Sequence, residues 1–313
     1  MNTNTAITFL GIRFRNPIVL ASGILGVTAA SLKRCADLGA GGVTMKSVSL
    51  QPRTGHHNPT MMGTDHYFLN AVGLSNPGVH EAVKEVYEFK KITRNKVPLI
   101  GSIFGGSIEE FLEVAHLLCA APIDILEVNL SCPNVGDEFG CPLAYSAQIA
   151  SDITRKIKKV TAKQGVPMVI KLSPNAWNIA QIAAACEQAG ADAITAVNTV
   201  SGMAIDATLQ APVLANMVGG VSGAALKPIA LKAVWDIFTT VKRIPIIATG
   251  GVLNGEDAIE MMLAGGTLVG VGSAVWWRGP EVFGAIVSEI IKYMKNKKIH
   301  SLSTLIGKAH HTL

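Results

Sequence analysis

Ala189-Gly190-Ala191-Asp192-Ala193-Ile194-Thr195-Ala196-Val197-Asn198-Thr199 holds the unit from which the fold is assembled. A helix-like segment (Ala176–Gln188) precedes it, and Gly just past a helix is a left-handed cap. The run Ala193–Thr199 then reads as a strand that ends in polar groups. It is continuously apolar rather than alternating, which suits a parallel strand buried on both faces. The same grammar recurs along the chain, with candidate strands at Ile18–Ser22, Gly42–Val48, Pro98–Phe104, Asp124–Ser131, Met168–Ser173, Pro245–Gly251 and Leu268–Ala274. Helix-like segments at Ser146–Lys163 and Gly255–Ala264 lie between them, and Ala264-Gly265-Gly266 repeats the glycine stop. These strand–helix units run on without a linker. They predict an α/β fold, a (β/α)8 TIM barrel spanning residues 1–313, with an N-terminal hairpin over Thr5–Arg15 as a lid on the barrel floor. A doubly wound sheet would need a G-x-G-x-x-G turn after its first strand. Ser22 to Gly26 carry only Ser-Gly-Ile-Leu-Gly.

Bulk properties agree. The 313 residues fit one barrel, since such barrels commonly run to about 250 residues. With 49% hydrophobic and 16% charged residues, the chain can bury a large core and is not a disordered protein. The net charge of +5 is small, and the Lys295–Lys298 cluster reads as a solvated helix end rather than a nucleic-acid contact. No secretory signal and no run of about 18 apolar residues is evident, so neither a leader nor a membrane span is expected. Five cysteines without a C-x-x-C pair suggest a reducing cytoplasm and no iron–sulfur cluster held by this chain alone.

Three connections are long: Ser49 to Pro77, Cys132 to Tyr145 and Ser201 to Gly223. All follow carboxyl ends of strands, the face where barrel enzymes keep their active sites. Read as structureless loops, they point to function. The strand ends present Ser22, Lys46, Asn129 with Cys132, Lys171, Asn198 with Thr199, Gly250-Gly251 and Gly272-Ser273. Lys46 and Lys171 sit in apolar strands, where a lysine needs a partner. Glu127 is the main acid for a structural ion pair, but an anionic ligand above the barrel is the better partner. The two late pairs, Gly250-Gly251 and Gly272-Ser273, each precede a helix, an arrangement that cradles phosphate through backbone N–H groups. Asn70, Asn129, Asn134 and Asn198 can each donate to and accept from a planar, amide-bearing molecule. Cys132, in Asn129-Leu130-Ser131-Cys132-Pro133-Asn134, is open to three chemistries: metal ligand, nucleophile or proton acceptor. His56, His57 and His66 read as surface residues of a polar loop, and His310-His311 as a surface tail.

Asn129 to Asn134, Leu69-Asn70-Ala71-Val72-Gly73-Leu74, and Asn198-Thr199 followed by Gly202-Met203-Ala204-Ile205-Asp206 resemble the dihydroorotate dehydrogenase family. The resemblance runs from Asn16-Pro17 to Gly272-Ser273. It implies an FMN flavoprotein of pyrimidine biosynthesis on a TIM barrel, an oxidoreductase that converts dihydroorotate to orotate. Cys132 would be the catalytic base at C5 while a hydride leaves C6 for the flavin. Lys46, Asn70, Ala71, Val72, Gly73, Leu74, Asn129, Asn134, Asn198 and Thr199 would bind substrate. Ser22, Lys46, Ser47, Asn129, Lys171, Val197, Gly223, Gly250, Gly251, Gly272 and Ser273 would bind FMN, the last four around its phosphate and Lys171 near N1 and O2. The loop from Cys132 to Tyr145 would close over the substrate.

A cysteine base resembles soluble class 1 rather than membrane-associated class 2. Gly219-Gly220-Val221-Ser222-Gly223 looks like the class 1B catalytic subunit, with a homodimeric core, whose partner carries FAD and a [2Fe–2S] cluster and passes electrons to NAD. Ser102 departs from the family, which often has an asparagine touching flavin there. The segment Ala274-Val275-Trp276-Trp277-Arg278 is unusually aromatic, and plain core packing is favoured over contact with the flavin's phosphate end or with a partner. The alternatives are a dihydropyrimidine dehydrogenase-like enzyme, which would bring ferredoxin-like cysteine runs, and a phosphate-binding lyase barrel without flavin.

Overall fold

The computed structural model describes residues 4–131 and 145–311. Its centre is a closed barrel of eight parallel strands: β1 (Ile18–Leu20), β2 (Gly42–Thr44), β3 (Leu99–Ile103), β4 (Ile125–Asn129), β5 (Met168–Leu172), β6 (Ala193–Ala196), β7 (Ile246–Thr249) and β8 (Gly266–Val271). Neighbours pair in chain order, and Val269 on β8 closes the ring against Ile18 on β1. The covering helices are α1 (Ala29–Asp37), α2 (Val79–Ile92), α3 (Ile108–Cys119), α4 (Ala147–Gln164), α5 (Ile179–Gln188), α6 (Lys227–Thr240), α7 (Gly255–Leu263) and α8 (Val282–Asn296). Every residue of β3, β4 and β5 is buried, because one face meets the barrel interior and the other meets helices.

Local chemistry sets the boundaries. Ser146 caps α4 by accepting from the Ile149 N–H, and Gly165 ends it at φ 68°, where a side chain would be strained. Ala176 lies outside α5, which starts at Ile179. The Asn175 N–H and Nδ2 both bond the Ser173 hydroxyl, so this stretch makes a turn instead of the first helical turn. The strand β6 ends at Ala196, while the Val197 and Asn198 N–H groups still donate to the Thr249 and Leu172 carbonyls and carry the chain to the barrel mouth.

The hairpin pairs Ile7–Phe9 with Ile12–Phe14. Its two turn residues, Leu10 and Gly11, both have positive φ, the twist that suits a two-residue hairpin loop. Phe9 and Phe14 are buried edge-to-face at 6.3 Å. Phe14 lies so close to the start of β2 that a Cβ on Gly42 would come within 2.4 Å of its ring. The hairpin therefore seals the floor.

Two of the long connections are not structureless. The segments Met61–Gly63 and Phe68–Asn70, inserted after β2, join Val200–Met203 and Val218–Ser222, inserted after β6. Together they form a four-stranded antiparallel sheet over the carboxyl end of the barrel. Leu69, Ala71 and Leu214 give this sheet a small core of its own. No helix among the described residues is long and apolar enough to cross a membrane.

Candidate active site

A cavity of about 480 Å³ opens between the strand ends and the overlying sheet, within the range of small-molecule sites. Ser22, Lys46, Ser47, Asn129, Lys171 and Val197 line it from the barrel. Asn198 and Thr199 join from the end of β6, Gly250, Gly251, Gly272 and Ser273 from the ends of β7 and β8, and Asn70, Ala71, Val72, Gly73 and Leu74 from the sheet. Of the expected site residues that are described, Gly223 alone is not part of this lining. A Cβ on it would fall 2.5 Å from the Trp277 ring, so Gly223 is required by packing. Cys132 and Asn134, and the loop expected to close from Cys132, lie outside the described residues.

The ends of β7 and β8 supply donors without acceptors. The backbone N–H groups of Gly250, Gly251, Gly272 and Ser273 find no acceptor among the described residues. The Thr249 hydroxyl beside them is buried and also lacks a partner. An unpaired buried polar group is costly, and an anion of several oxygens would satisfy this set. The residues present therefore fit the phosphate of FMN. The α7 terminus does not contribute as expected. Asn254 accepts from the Asp257 N–H, and Asp257 accepts from Leu253 and Asn254 N–H, closing a capping box. The Gly255 N–H goes to Glu289. After β7 the open donors therefore come from the strand-end turn, whereas after β8 Ser273 is the N-cap of the short helix Ala274–Arg278.

The two lysines differ. Lys171 does meet Glu127, at 3.9 Å, although an anionic ligand was the expected partner. Its ammonium also donates to Ser22 Oγ at 2.9 Å. Lys46 has no hydrogen bond or ion pair to its ammonium among the described residues. Burial, and then the nearby Lys171 charge, push its pKa below the usual lysine value. A ligand anion would relieve both effects, so Lys46 is the cation of this cavity that most needs one.

The amides are already oriented. Asn198 Nδ2 donates to Asn129 Oδ1 at 3.3 Å, and Asn129 Oδ1 also accepts from the Ser131 N–H. Asn198 Oδ1 accepts from the Thr199 N–H, so the Asn129 amide group is left as a donor. Asn70 Nδ2 donates to the Gly220 carbonyl, which leaves its Oδ1 to accept. A planar molecule with alternating donors and acceptors matches this edge.

Several positions differ from the reading of the sequence. His56 is not a plain surface residue: it lines the cavity, and its Nδ1 lies 3.1 Å from the Ala71 carbonyl. His310 is not a free tail either, since its ring stacks on Trp235 at 3.5 Å. Trp276 is 59% exposed and packs on Phe68, while Trp277 Nε1 donates to the Thr64 carbonyl. Both tie the segment after β8 to the sheet, and neither is core packing. Ser102 is fully buried below the cavity, bonded to Ser47 and Glu127. Glu127 and Thr195 were missed as part of this layer. Each lies on a strand two residues before a cavity residue, and that period-two spacing was the available signal. Among the described cysteines, burial raises Cys35 to about 11 and Cys119 and Cys186 to about 12, which removes them as bases near neutrality.

The family model for dihydroorotate dehydrogenase matches residues 4–294. The catalytic subunit of dihydroorotate dehydrogenase B (NAD(+)) from Methanocaldococcus jannaschii is 44% identical over 301 residues, covering 96% of this chain and 96% of its own. Relatives of the same name from Pyrococcus horikoshii (40% identical, 97% of each chain) and a Geobacter species (39% identical, 96% of this chain and 97% of its own) are similar along their whole length.

Proposed function

The chain belongs to the dihydroorotate dehydrogenase family, and from that premise we propose how it oxidises dihydroorotate to orotate in pyrimidine biosynthesis: FMN occupies the cavity, and Cys132 is the base. The observation that carries the reading is the set of backbone donors at Gly250, Gly251, Gly272 and Ser273 that find no acceptor among the described residues, in the same cavity as Lys46 and Lys171. Those four residues would hold the FMN phosphate. Ser22, Lys46, Ser47, Asn129, Lys171 and Val197 would hold the rest of the cofactor, which supplies the acceptor for the hydride leaving C6 of the substrate.

The chain's own groups do the remaining work. Asn129, with its free amide donors, and Asn70, with its free carbonyl, orient the substrate together with Asn134, Asn198 and Thr199. The backbone of Ala71 to Leu74 covers its edge. Lys46 faces the substrate carboxylate, and Lys171 adds a second positive charge. The Cys132 thiolate takes the proton from C5, leaving a neutral thiol. Its reference pKa of about 8.5 allows this near neutrality, unlike the three cysteines raised by burial. The curated relatives are named catalytic subunits. We extend this to a partner subunit carrying FAD and a [2Fe–2S] cluster that passes electrons to NAD, with this chain as a homodimeric core in the cytoplasm.

Replacing Cys132 with Ala tests the chemistry. FMN should stay bound, while anaerobic flavin reduction by dihydroorotate slows at least about a hundredfold, the scale of a lost general base. Unchanged reduction kinetics would overturn the assignment.

A further inference from the structure

One buried ionisable group takes no part in this mechanism. Glu127, on β4, is 3% exposed and lies inside the barrel, one layer below the cavity. Its Oε1 accepts from Ser22 at 3.1 Å and from Ser102 at 3.0 Å, and its Oε2 accepts from Thr195 at 2.9 Å. These three hydroxyls all donate, so the carboxylate oxygens act as acceptors throughout. Each hydroxyl carries a single hydrogen. Ser22 gives its hydrogen to Glu127 and accepts from Lys171 at 2.9 Å. Ser102 has likewise given its hydrogen to Glu127, so in its 2.8 Å bond with Ser47 it can only accept. Ser47 therefore donates downward too. Ser22 and Ser47 both line the cavity, and both hydrogens point away from it.

We propose that Glu127 is a positioning residue that sets the polarity of the cavity floor. It turns two wall hydroxyls into acceptors and anchors the Lys171 ammonium through Ser22. A ligand group resting on either hydroxyl must bring its own N–H or O–H. The inference rests on the FMN reading, because the imide N–H and ribityl hydroxyls of that cofactor belong to this donor class. Glu127 also places a fixed negative charge beneath the ligand, which opposes the extra negative charge of reduced flavin. Its removal thus affects both affinity and redox balance.

The test uses the full chain, prepared without flavin and titrated with FMN, followed by redox titration of the bound flavin. Glu127→Gln keeps the shape but places an amide donor where oxygens accepted, which forces a hydroxyl to reverse. The FMN dissociation constant should rise at least about tenfold, the effect of losing one or two charge-assisted hydrogen bonds. Reduced flavin should also gain about tenfold over oxidised flavin, a positive shift of about 30 mV for the two-electron couple. Ser102→Ala cuts only the Ser47 arm and keeps the charge. It should weaken FMN about threefold, one neutral hydrogen bond's worth, with the potential unmoved.

A wild-type chain that does not bind FMN would overturn the cavity reading and this inference with it. Wild-type binding, with Glu127→Gln matching it in both affinity and potential, would overturn the inference alone and reduce Glu127 to a barrel-packing role. If Glu127→Gln does not fold, Ser102→Ala and Ser22→Ala decide the matter, and wild-type FMN affinity in both would overturn the proposal.

Discussion

At the ends of β7 and β8 the cavity wall is bare backbone, whose N–H groups have no acceptor among the described residues. At the ends of β4 and β6, and on the overlying strand Phe68–Asn70, the wall is made of side-chain amides already bonded to Asn129 and to the Gly220 carbonyl. The first wall leaves its donors open to an incoming anion. The second satisfies part of its own capacity, and what remains over has a direction. Charge governs what the first holds, and hydrogen-bond pattern governs what the second accepts. Lys46, just past the end of β2 and without a hydrogen bond or ion pair to its ammonium among the described residues, belongs in this respect with the first.

Breaking the backbone wall should have the largest effect. Gly251 has φ 76°, and a Cβ there would lie 2.5 Å from the Lys227 nitrogen. Gly251→Val must move the turn, so FMN affinity should fall at least about tenfold, equivalent to about 1.4 kcal/mol. Fluorescence titration measures this, and wild-type affinity in the variant would mean that these amides do not hold the phosphate.

An intermediate effect comes from Lys46. Burial and Lys171 lower its pKa in the free protein, and a bound anion brings it back up. Binding of orotate should therefore take up a proton as the pH climbs through the lowered Lys46 value, and affinity should fall over that interval. Calorimetry in two buffers of different ionisation enthalpy detects the uptake. Its absence, with affinity flat across the alkaline range, would place the ligand anion elsewhere.

The smallest effect sharpens the boundary of the wall. Asn254→Ala removes the α7 cap and should destabilise the protein by about 1 kcal/mol in thermal unfolding. FMN affinity should not change, because the first turn of α7 is closed on itself. A weakened affinity would move the phosphate to that helix.

The barrel was legible because a buried parallel strand leaves a continuous apolar run, and a left-handed glycine stop such as Gly165 or Gly190 leaves a mark in the chain. That the strand-end residues line the cavity was legible for the same reason: a polar group that closes an apolar run has only the mouth to face. The sheet over the mouth was not. Its strands pair residues that are neighbours only after the barrel has formed, and nothing in Met61–Gly63 or Val218–Ser222 taken alone names its partner. Glu127 was noticed as an acid but not as the hub of a layer, since that layer draws one residue from each of several strands. His56 and His310 were misjudged because polar neighbours in sequence say little about a ring that packs against a distant carbonyl or indole.

The bond from Asn70 to Gly220 joins residues 150 positions apart. A contact of such range demands a large loss of chain freedom before it returns any stabilisation, so it belongs among the late events of folding. The roof of the cavity thus depends on a barrel that has already closed. A cofactor that recognises only the completed roof draws the equilibrium toward the finished molecule by mass action. Any ligand that binds only the completed roof would link its own supply to folding, through two inserted segments that belong to opposite sides of the ring.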